Sequence, residues 1–523
     1  MARVLLIKTR AWSMKKFGTG ACPPLGLLSL ISYARQERPG RHEFRLIDER
    51  VHTPTAGEYG ALVAEFDPDL IGLSVLSSDV KRMGEVSRLF RHLCPHIPIV
   101  VGGPHASAHN ATLLDKVDID FVLAGEGELG FVGLLDSLDA GHSCPTEPIV
   151  GLSYRRGDNV LVENAPNTRL LDMANSPWPA WDMVDFDDYK NLTRMTPISH
   201  GKYAPLFTSR GCPYRCNYCH EVFTKKFRAK GPVEVVDEIE YLMHERQVEE
   251  FEIYDDIFNL DYDRAMGICH EIIGRGLKPR LTFPNGIRGD LLDRPLLEAM
   301  AAAGTIHLAF AIESASPRIQ KMSRKNNRLP KITENIEIAA ELGIFPFGFF
   351  MLGFPTETRE EIQSTIDFAI RSKLNGALFF QVIPFAGTEL ARTYFSDEAG
   401  ARALGTIAAT AETGIASTRD HERDMETGHY VWVTDSMAQI PTRELRKLQL
   451  QAYFNFYYDL GRIWRILRTW PLPYSVLLRK AYLLSYHLVV DRPIVWTHRL
   501  IKTIGRRLHA AIFSPAGAPY PEY

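Results

Sequence analysis

The sequence predicts an α/β chain in three parts. A doubly wound parallel sheet comes first, a partial (β/α)6 barrel of the TIM type follows, and an α-helical carboxy-terminal region ends the chain. Three observations predict this order. Short apolar runs alternate with helix-length stretches before residue 145, and the alternation resumes from residue 201. A proline-rich connector separates the two series. After residue 397 the alternation stops and only helical spacing remains. The expected boundaries are therefore 1–145, 146–200, 201–397 and 398–523.

Val4 to Ile7 is a buried strand by its unbroken apolar run. Pro23 and Pro24 open a helix with one apolar face. Further strands follow at Phe44 to Ile47, Leu70 to Leu76, Ile97 to Gly103 and Asp120 to Glu128, with helices at Tyr59 to Phe66 and Val80 to Cys94. Ligands of such sheets bind beyond the carboxyl ends of the strands. Those ends hold Ser74 and Ser77, then Gly102, Gly103, Pro104 and His105, then Gly125 and Glu126. Small residues there admit close backbone approach to a large ligand. Read alone they are equally tight turns, and no G-x-G-x-x-G dinucleotide fingerprint is present.

In the connector, Gly151 to Val162 reads as a hairpin turning at Gly157-Asp158-Asn159. Ser176-Pro-Trp-Pro-Ala-Trp-Asp182 is a proline-rich bridge.

The barrel strands are expected at Leu206 to Ser209, Phe251 to Tyr254, Arg280 to Phe283, His307 to Ile312, Phe347 to Leu352 and Ala377 to Ile383. Barrel active sites lie at the carboxyl ends of the strands. Asp255 and Asp256, Asn285 and Arg288, Glu313 and Ser314, and Gly353 fall there. Singly, each reads as a cap or a solvated loop. Together they form one candidate site, although no catalytic acid, base or nucleophile stands out.

The first strand leads into Thr208-Ser-Arg-Gly-Cys-Pro-Tyr-Arg-Cys-Asn-Tyr-Cys-His220. Cys212, Cys216 and Cys219 form a C-x3-C-x2-C array that suits one soft metal centre. A four-iron cluster usually takes four cysteines, so three leave one iron for an outside ligand. The alternative is structural zinc with His220 as the fourth ligand.

Net charge is −3 over 523 residues, which gives no general attraction to nucleic acid. The remaining cysteines, Cys22, Cys94, Cys144 and Cys269, are scattered and suggest no disulfide framework. The first apolar run is too short for a signal peptide. No stretch of about 18 uncharged apolar residues occurs, so no spanning helix is expected. A reducing cytoplasm suits an exposed iron–sulfur loop. From Thr442 the helical tail is basic and aromatic, with Arg462, Arg465, Arg468, Arg479 and Lys480 among its cations. Such a face suits peripheral contact with anionic lipid, an acidic partner or plain solvent.

The cysteine loop resembles the cluster loop of the radical S-adenosylmethionine (radical SAM) enzymes. With Pro23-Pro-Leu-Gly-Leu, Ile71-Gly-Leu-Ser, Val101-Gly-Gly-Pro-His and Ala124-Gly-Glu-Gly-Glu ahead of it, the chain resembles the cobalamin-dependent (class B) members. The resemblance implies a B12-binding Rossmann-like domain and three cofactors: a [4Fe-4S] cluster, SAM and cobalamin. It implies Tyr218 near the adenine, Asp255 and Asp256 near the SAM amino group, and Glu313 and Ser314 on the ribose and amino-acid groups. It places Gly353 beside adenine, and suggests that Arg288 pairs with the SAM carboxylate and that Lys325 approaches SAM. Classical B12 domains carry an axial histidine in D-x-H-x-x-G. Here Lys8-Thr-Arg-Ala-Trp-Ser-Met stands instead, and His105 is left as a ligand or a lining of the nucleotide-tail pocket.

The activity implied is methylation of an unactivated carbon in a small-molecule, lipid or tetrapyrrole substrate, through a 5′-deoxyadenosyl radical and methylcobalamin. A flavodoxin- or ferredoxin-type reductant is implied with it. The alternatives are a cyclase on the same scaffold and a metal-binding interaction module. An RNA methylthiotransferase would need a second three-cysteine cluster, which Cys22, Cys94 and Cys144 do not form.

Overall fold

A computed structural model describes residues 2–11, 22–394 and 436–470, with 474, 475 and 478. Short breaks fall at 109–112, 115–117, 143, 157–159, 167, 193, 197, 221 and 386.

β1 (Ala2–Lys8), β2 (His42–Asp48), β3 (Leu70–Ser74), β4 (Ile99–Gly102) and β5 (Phe121–Leu123) pair in parallel in the order β2-β1-β3-β4-β5. Successive residues of β1 enter two separate cores. Val4 and Leu6 face one, Leu5 and Ile7 the other. Helices cover both faces of the sheet, so these strands read apolar throughout rather than alternating. The helices are α1 (Leu25–Glu37), α2 (Ala56–Phe66), α3 (Val80–Leu93), α4 (Pro104–Ala108) and α5 (Gly127–Asp139). β6 (Leu152–Arg155) extends the sheet antiparallel to β5, and β7 (Leu161–Glu163) pairs antiparallel with β6, as the expected hairpin requires. Its turn at 157–159 lies outside the described residues. The fifth strand is shorter than expected, because Gly125 turns the chain at φ 77° and α5 begins at Gly127.

The proline-rich bridge wedges between the two halves. Its Ala180 N–H donates to the Leu28 carbonyl of α1 at 3.1 Å. The Trp181 indole donates to Glu238 of α6 (Pro232–Arg246) at 3.0 Å.

The second sheet is parallel, in the order β15-β14-β13-β12-β11-β8. Its strands are β8 (Tyr203–Leu206), β11 (Glu250–Ile253), β12 (Arg280–Ile287), β13 (Thr305–Glu313), β14 (Phe345–Leu352) and β15 (Gly376–Gln381). A two-residue ribbon, β9 (Ser209–Arg210) with β10 (Arg228–Ala229), flanks the cysteine loop. α6, α7 (Tyr262–Gly274), α8 (Arg294–Ala302), α9 (Pro317–Met322), α10 (Leu329–Glu341), α11 (Arg359–Arg371) and α12 (Glu389–Tyr394) intervene or follow. This is the partial barrel that the sequence predicts. Its first strand runs Tyr203–Leu206 rather than Leu206 to Ser209, and it ends there as Thr208 and Ser209 leave the sheet to meet Asp255.

α13 (Thr442–Tyr457) covers the free edge of β15. The Tyr457 hydroxyl accepts from the Ala377 N–H at 3.0 Å and donates to its carbonyl at 2.8 Å. The Tyr453 hydroxyl accepts from the Phe379 N–H at 3.0 Å, and Gln449 donates to the Phe379 carbonyl at 2.6 Å. α14 (Leu460–Thr469) follows. Buried Arg462 donates to the Ile370 carbonyl at 2.7 Å and to that of Phe456 at 2.9 Å. Arg465 donates to the Leu374 carbonyl at 2.9 Å. These two cations are therefore ties to the end of α11, which corrects their place in a lipid-facing surface. Arg479, Lys480 and the later cations lie outside the described residues. Ile466 begins a second unit, in which the Tyr474 hydroxyl donates to the Leu467 carbonyl at 2.8 Å. No helix among the described residues is long and apolar enough to cross a membrane.

Candidate active site

The cysteine loop leaves β9 through Gly211, at φ 87°. A Cβ there would lie 2.2 Å from the Lys226 carbonyl oxygen, so no other residue fits without displacing the ribbon. The Gly211 N–H donates to Asp256 at 3.0 Å. Further along, the Asn217 N–H donates to the Ser323 carbonyl and its side chain to that of Met322, both at 3.1 Å. The loop is thus held from the ends of β11 and α9. Its three thiols are free. Although Cys219 is exposed at its surface, desolvation within the loop, with the nearby Cys216 adding to the shift, pushes its thiol up to about 12. Burial also raises Cys212. Thiols so placed need an electron-poor centre to become thiolates. Among the described residues, no three His, Cys, Asp or Glu side chains are arranged to hold a metal ion by themselves. Three thiols in the C-x3-C-x2-C array suit a four-iron cluster with one iron left for an outside ligand, whereas zinc closed by His220 would need the adjacent Cys219 and His220 to converge on one ion.

Asp255, buried at the end of β11, accepts from the Thr208 N–H at 2.6 Å, the Thr208 hydroxyl at 2.5 Å and the Ser209 hydroxyl at 2.6 Å. It shapes the root of the cysteine loop, and its acceptor capacity is used there. Arg288 forms a fork with Asp290, both bonds at 3.0 Å, and its guanidinium lies 4.0 Å from the Tyr214 ring centroid. The carboxylate two residues on in Arg288-Gly-Asp290 is the signal that sequence reading passed over.

Glu313 sits at φ 67°, a costly conformation for a residue with a side chain. Its carboxylate accepts from the half-buried Lys325 ammonium at 3.3 Å. Lys325 also feels the charges of Cys216 and Arg288, which brings Lys325, Glu313 and the cysteine loop together. Ser314 points away, its hydroxyl 3.2 Å from that of Thr365 on α11. Tyr218 packs edge-on to Phe354 at 5.7 Å, beside Met351 and Ile319. These residues make an apolar wall next to the cluster loop.

Gly353 lies at φ 95°, and its N–H donates to Glu357 at 2.6 Å. The second Glu357 carboxyl oxygen is buried with no hydrogen-bond partner among the described residues. Burial pushes this carboxyl up to about 7. A raised carboxyl stabilises the fold below its ordinary pKa, and that contribution is lost as pH rises through 7. Glu357→Gln should therefore gain on the native chain by roughly 2–3 kcal/mol between pH 5 and pH 8. Thermal unfolding at the two pH values checks this, and an unchanged gap contradicts it.

At the carboxyl ends of the first sheet, Gly103 lies at φ 105° with its missing Cβ only 2.8 Å from the Val75 carbonyl oxygen. The β3 and β4 loops therefore touch backbone to backbone. Ser77 and His105 tie the same loops together, hydroxyl to Nδ1 at 3.1 Å. Pro104 starts α4, and the Ser74 carbonyl accepts from the Thr9 hydroxyl at 3.1 Å. Where an axial histidine would stand after β1, buried Lys8 donates to Asp79 at 2.5 Å.

Glu126, in the loop after β5, has a partner in the second half of the chain. Its carboxylate is gripped by the Arg228 guanidinium, with Nη1 on Oε2 at 2.8 Å. Glu128 accepts from Arg210 at 2.8 Å and from the Ser29 hydroxyl at 2.7 Å. Burial alone would push the Glu128 carboxyl up, but Arg210 holds it below the ordinary carboxylate range. Glu126, expected as a cofactor contact, thus has its carboxylate in an ion pair with the ribbon. Arg210 and Arg228, both on that ribbon, are functional residues that sequence reading missed.

Residues 206–369 match the Radical SAM superfamily and residues 18–135 the B12 binding domain. An uncharacterized methyltransferase of Pyrococcus horikoshii is 32% identical over 372 residues, 70% of this chain and 77% of that one. The chain belongs to the cobalamin-dependent radical SAM enzymes. The cytidylyl-2-hydroxyethylphosphonate methyltransferase of Streptomyces wedmorensis is 29% identical, over 63% of this chain and 67% of its own. In fold, the chain resembles the cobalamin-dependent S-adenosylmethionine radical enzyme OxsB with aqua-cobalamin bound. The TM-score is 0.65 at 16% identity, over 98% of this chain and 76% of that one. As a cobalamin-dependent radical SAM enzyme, the protein uses a [4Fe-4S] cluster, SAM and cobalamin.

Proposed function

We propose that the protein methylates a carbon atom of a small molecule. Bound together, the three cofactors supply hydrogen abstraction and a methyl group. Cys212, Cys216 and Cys219 would hold the cluster. Glu313 and Lys325 would orient the polar end of SAM, with Tyr218 and Gly353 beside its adenine. The small-residue rim from Ser74 to Ser77 and from Gly102 to His105 would carry the corrin. The observation that carries the proposal is the ion-pair joint. It ties the loop after β5 to the ribbon from which the cysteine loop springs, so the two cofactor regions keep one spacing. A flavodoxin- or ferredoxin-type reductant, a reducing cytoplasm and peripheral contact with anionic lipid through the basic carboxy-terminal helices belong to the same proposal.

The test is anaerobic reconstitution with hydroxocobalamin, followed by SAM, reductant and metabolites from a deletion strain. The expected product gains one methylene whose carbon derives from labelled SAM methyl. Loss of hydrogen or gain of oxygen would instead support the cyclase reading.

A further inference from the structure

The turn after β14 holds two residues in the left-handed region, Gly353 at φ 95° and Thr356 at φ 61°. That conformation is costly for Thr356 and persists only where neighbours over-determine it. Four ties do so, and three of them come from beyond the barrel. The Thr356 N–H donates to the Met437 carbonyl at 3.1 Å, and the Gln439 N–H donates to the Glu357 carbonyl at 2.9 Å. Leu445 of α13 lies on Gly353, where a Cβ would come within 2.7 Å of its Cδ2. The fourth tie is Arg318, whose guanidinium donates to the Thr356 hydroxyl at 3.1 Å and to its carbonyl at 2.8 Å.

The side chain of Met437 serves the same place. It is 7% exposed and packs in one apolar cluster with Ile319, Phe354 and Leu390, and Tyr218 and Met351 lie against that cluster. An unbranched thioether suits a gap between so many unlike shapes. Tyr218 belongs to the cysteine loop, and the Leu390 N–H donates to the neighbouring Asn217 carbonyl at 2.8 Å. One short segment therefore reaches the turn after β14 by its backbone, and the wall that holds Tyr218 by its side chain. The segment is itself braced. The Ser436 N–H donates to the Thr442 hydroxyl at 2.8 Å, and Arg359 of α11 donates to Glu444 at 2.8 Å.

We propose that Met437 is a positioning residue for SAM. It acts through Gly353 and Tyr218, and it rests on the reading of those two residues as neighbours of the adenine. With the segment in place, the adenine side of the SAM site has one shape. Without the methionine side chain, Phe354 and Tyr218 lose backing, and the left-handed turn loses part of what holds it. The region matched to the Radical SAM superfamily ends at residue 369, so the site is completed by chain that lies beyond the match.

Equilibrium binding to the full-length, cluster-reconstituted protein tests it without reductant, so that no turnover occurs. Calorimetry reads the affinity for SAM, and absorbance reads the affinity of the same samples for hydroxocobalamin. Met437→Ala should weaken SAM by about tenfold and leave hydroxocobalamin within about twofold. Met437→Leu, which nearly keeps the volume, should hold SAM within about threefold. Should Met437→Ala lose its cluster absorbance, Leu445→Val repeats the test from the side of Gly353. Unchanged SAM affinity in Met437→Ala overturns the proposal. So does an equal fall in SAM and hydroxocobalamin affinity, or a fall in Met437→Leu as large as that in Met437→Ala. Tyr218→Ala separates this role from the reading beneath it. Weakened SAM in Tyr218→Ala with none in Met437→Ala overturns the role of Met437 alone. Native SAM affinity in Tyr218→Ala would remove the adenine placement, and the role of Met437 with it.

Discussion

Cys212→Ala abolishes the reductive cleavage of SAM to 5′-deoxyadenosine. Cys212 is the first ligand after Gly211, and the loop's path is set there by the Gly211 bond to Asp256 and the approach to Lys226. With alanine at 212, two thiolates remain where three would hold the cluster. Loss of an outer-shell partner at a metal site already costs roughly 10–100-fold, and a direct ligand should cost more. Product by chromatography, and iron and sulfide per chain, measure the effect. Cys144→Ala is the control, since Cys144 is half-buried and its thiol lies 3.9 Å from the Arg155 carbonyl oxygen, on the far sheet. Undiminished cleavage in Cys212→Ala would contradict the assignment of the loop.

Arg210→Met should cost about 3–5 kcal/mol of stability, because it leaves Glu128 buried without its cation. Ser29 would remain as the hydrogen-bond donor to that carboxylate, and one hydroxyl does not replace a guanidinium. The double variant Arg210→Met/Glu128→Leu should recover most of the loss, since buried pairs exchange for apolar residues at little cost. The pH dependence has a defined sign. Arg210 holds Glu128 below the ordinary carboxylate range, so the pair's contribution is present above that range and fades as pH falls. The deficit of the single variant should therefore shrink toward pH 4. Urea unfolding at two pH values reads all three effects. A single variant within 1 kcal/mol of the native chain, or a double variant no better than the single, would contradict the role given to Arg210.

Much of this molecule is legible in its sequence, for local reasons. Parallel strands covered on both faces are unbroken apolar runs, so β1, β3 and β4 stand out. The cluster ligands lie within eight residues of one another, and their spacing needs no fold to interpret. What escaped reading depends on partners far away in the chain. Glu126 finds Arg228 across 102 positions, and Asp255 finds Thr208 across 47. Each looked like a free carboxylate at a strand end, where ligand contacts are expected. The contacts of the connector with β11 were hidden for the same reason. Glu252 falls inside the expected strand and Glu250 just before it, and nothing local marks either until the connector is seen to meet them.

The contact of α13 with β15 is a match of two repeats. Four helical residues advance about 6 Å and two strand residues about 6.6 Å. Gln449, Tyr453 and Tyr457 can therefore climb the strand rung by rung, meeting Gln381, Phe379 and Ala377 in turn. Slipping the helix by one residue turns these side chains through about 100° and undoes every rung at once. Side chains thus occupy the margin where a seventh strand would otherwise add. A chain ending before Thr442 would present that margin bare, as a template on which a second molecule could zip and seed aggregates.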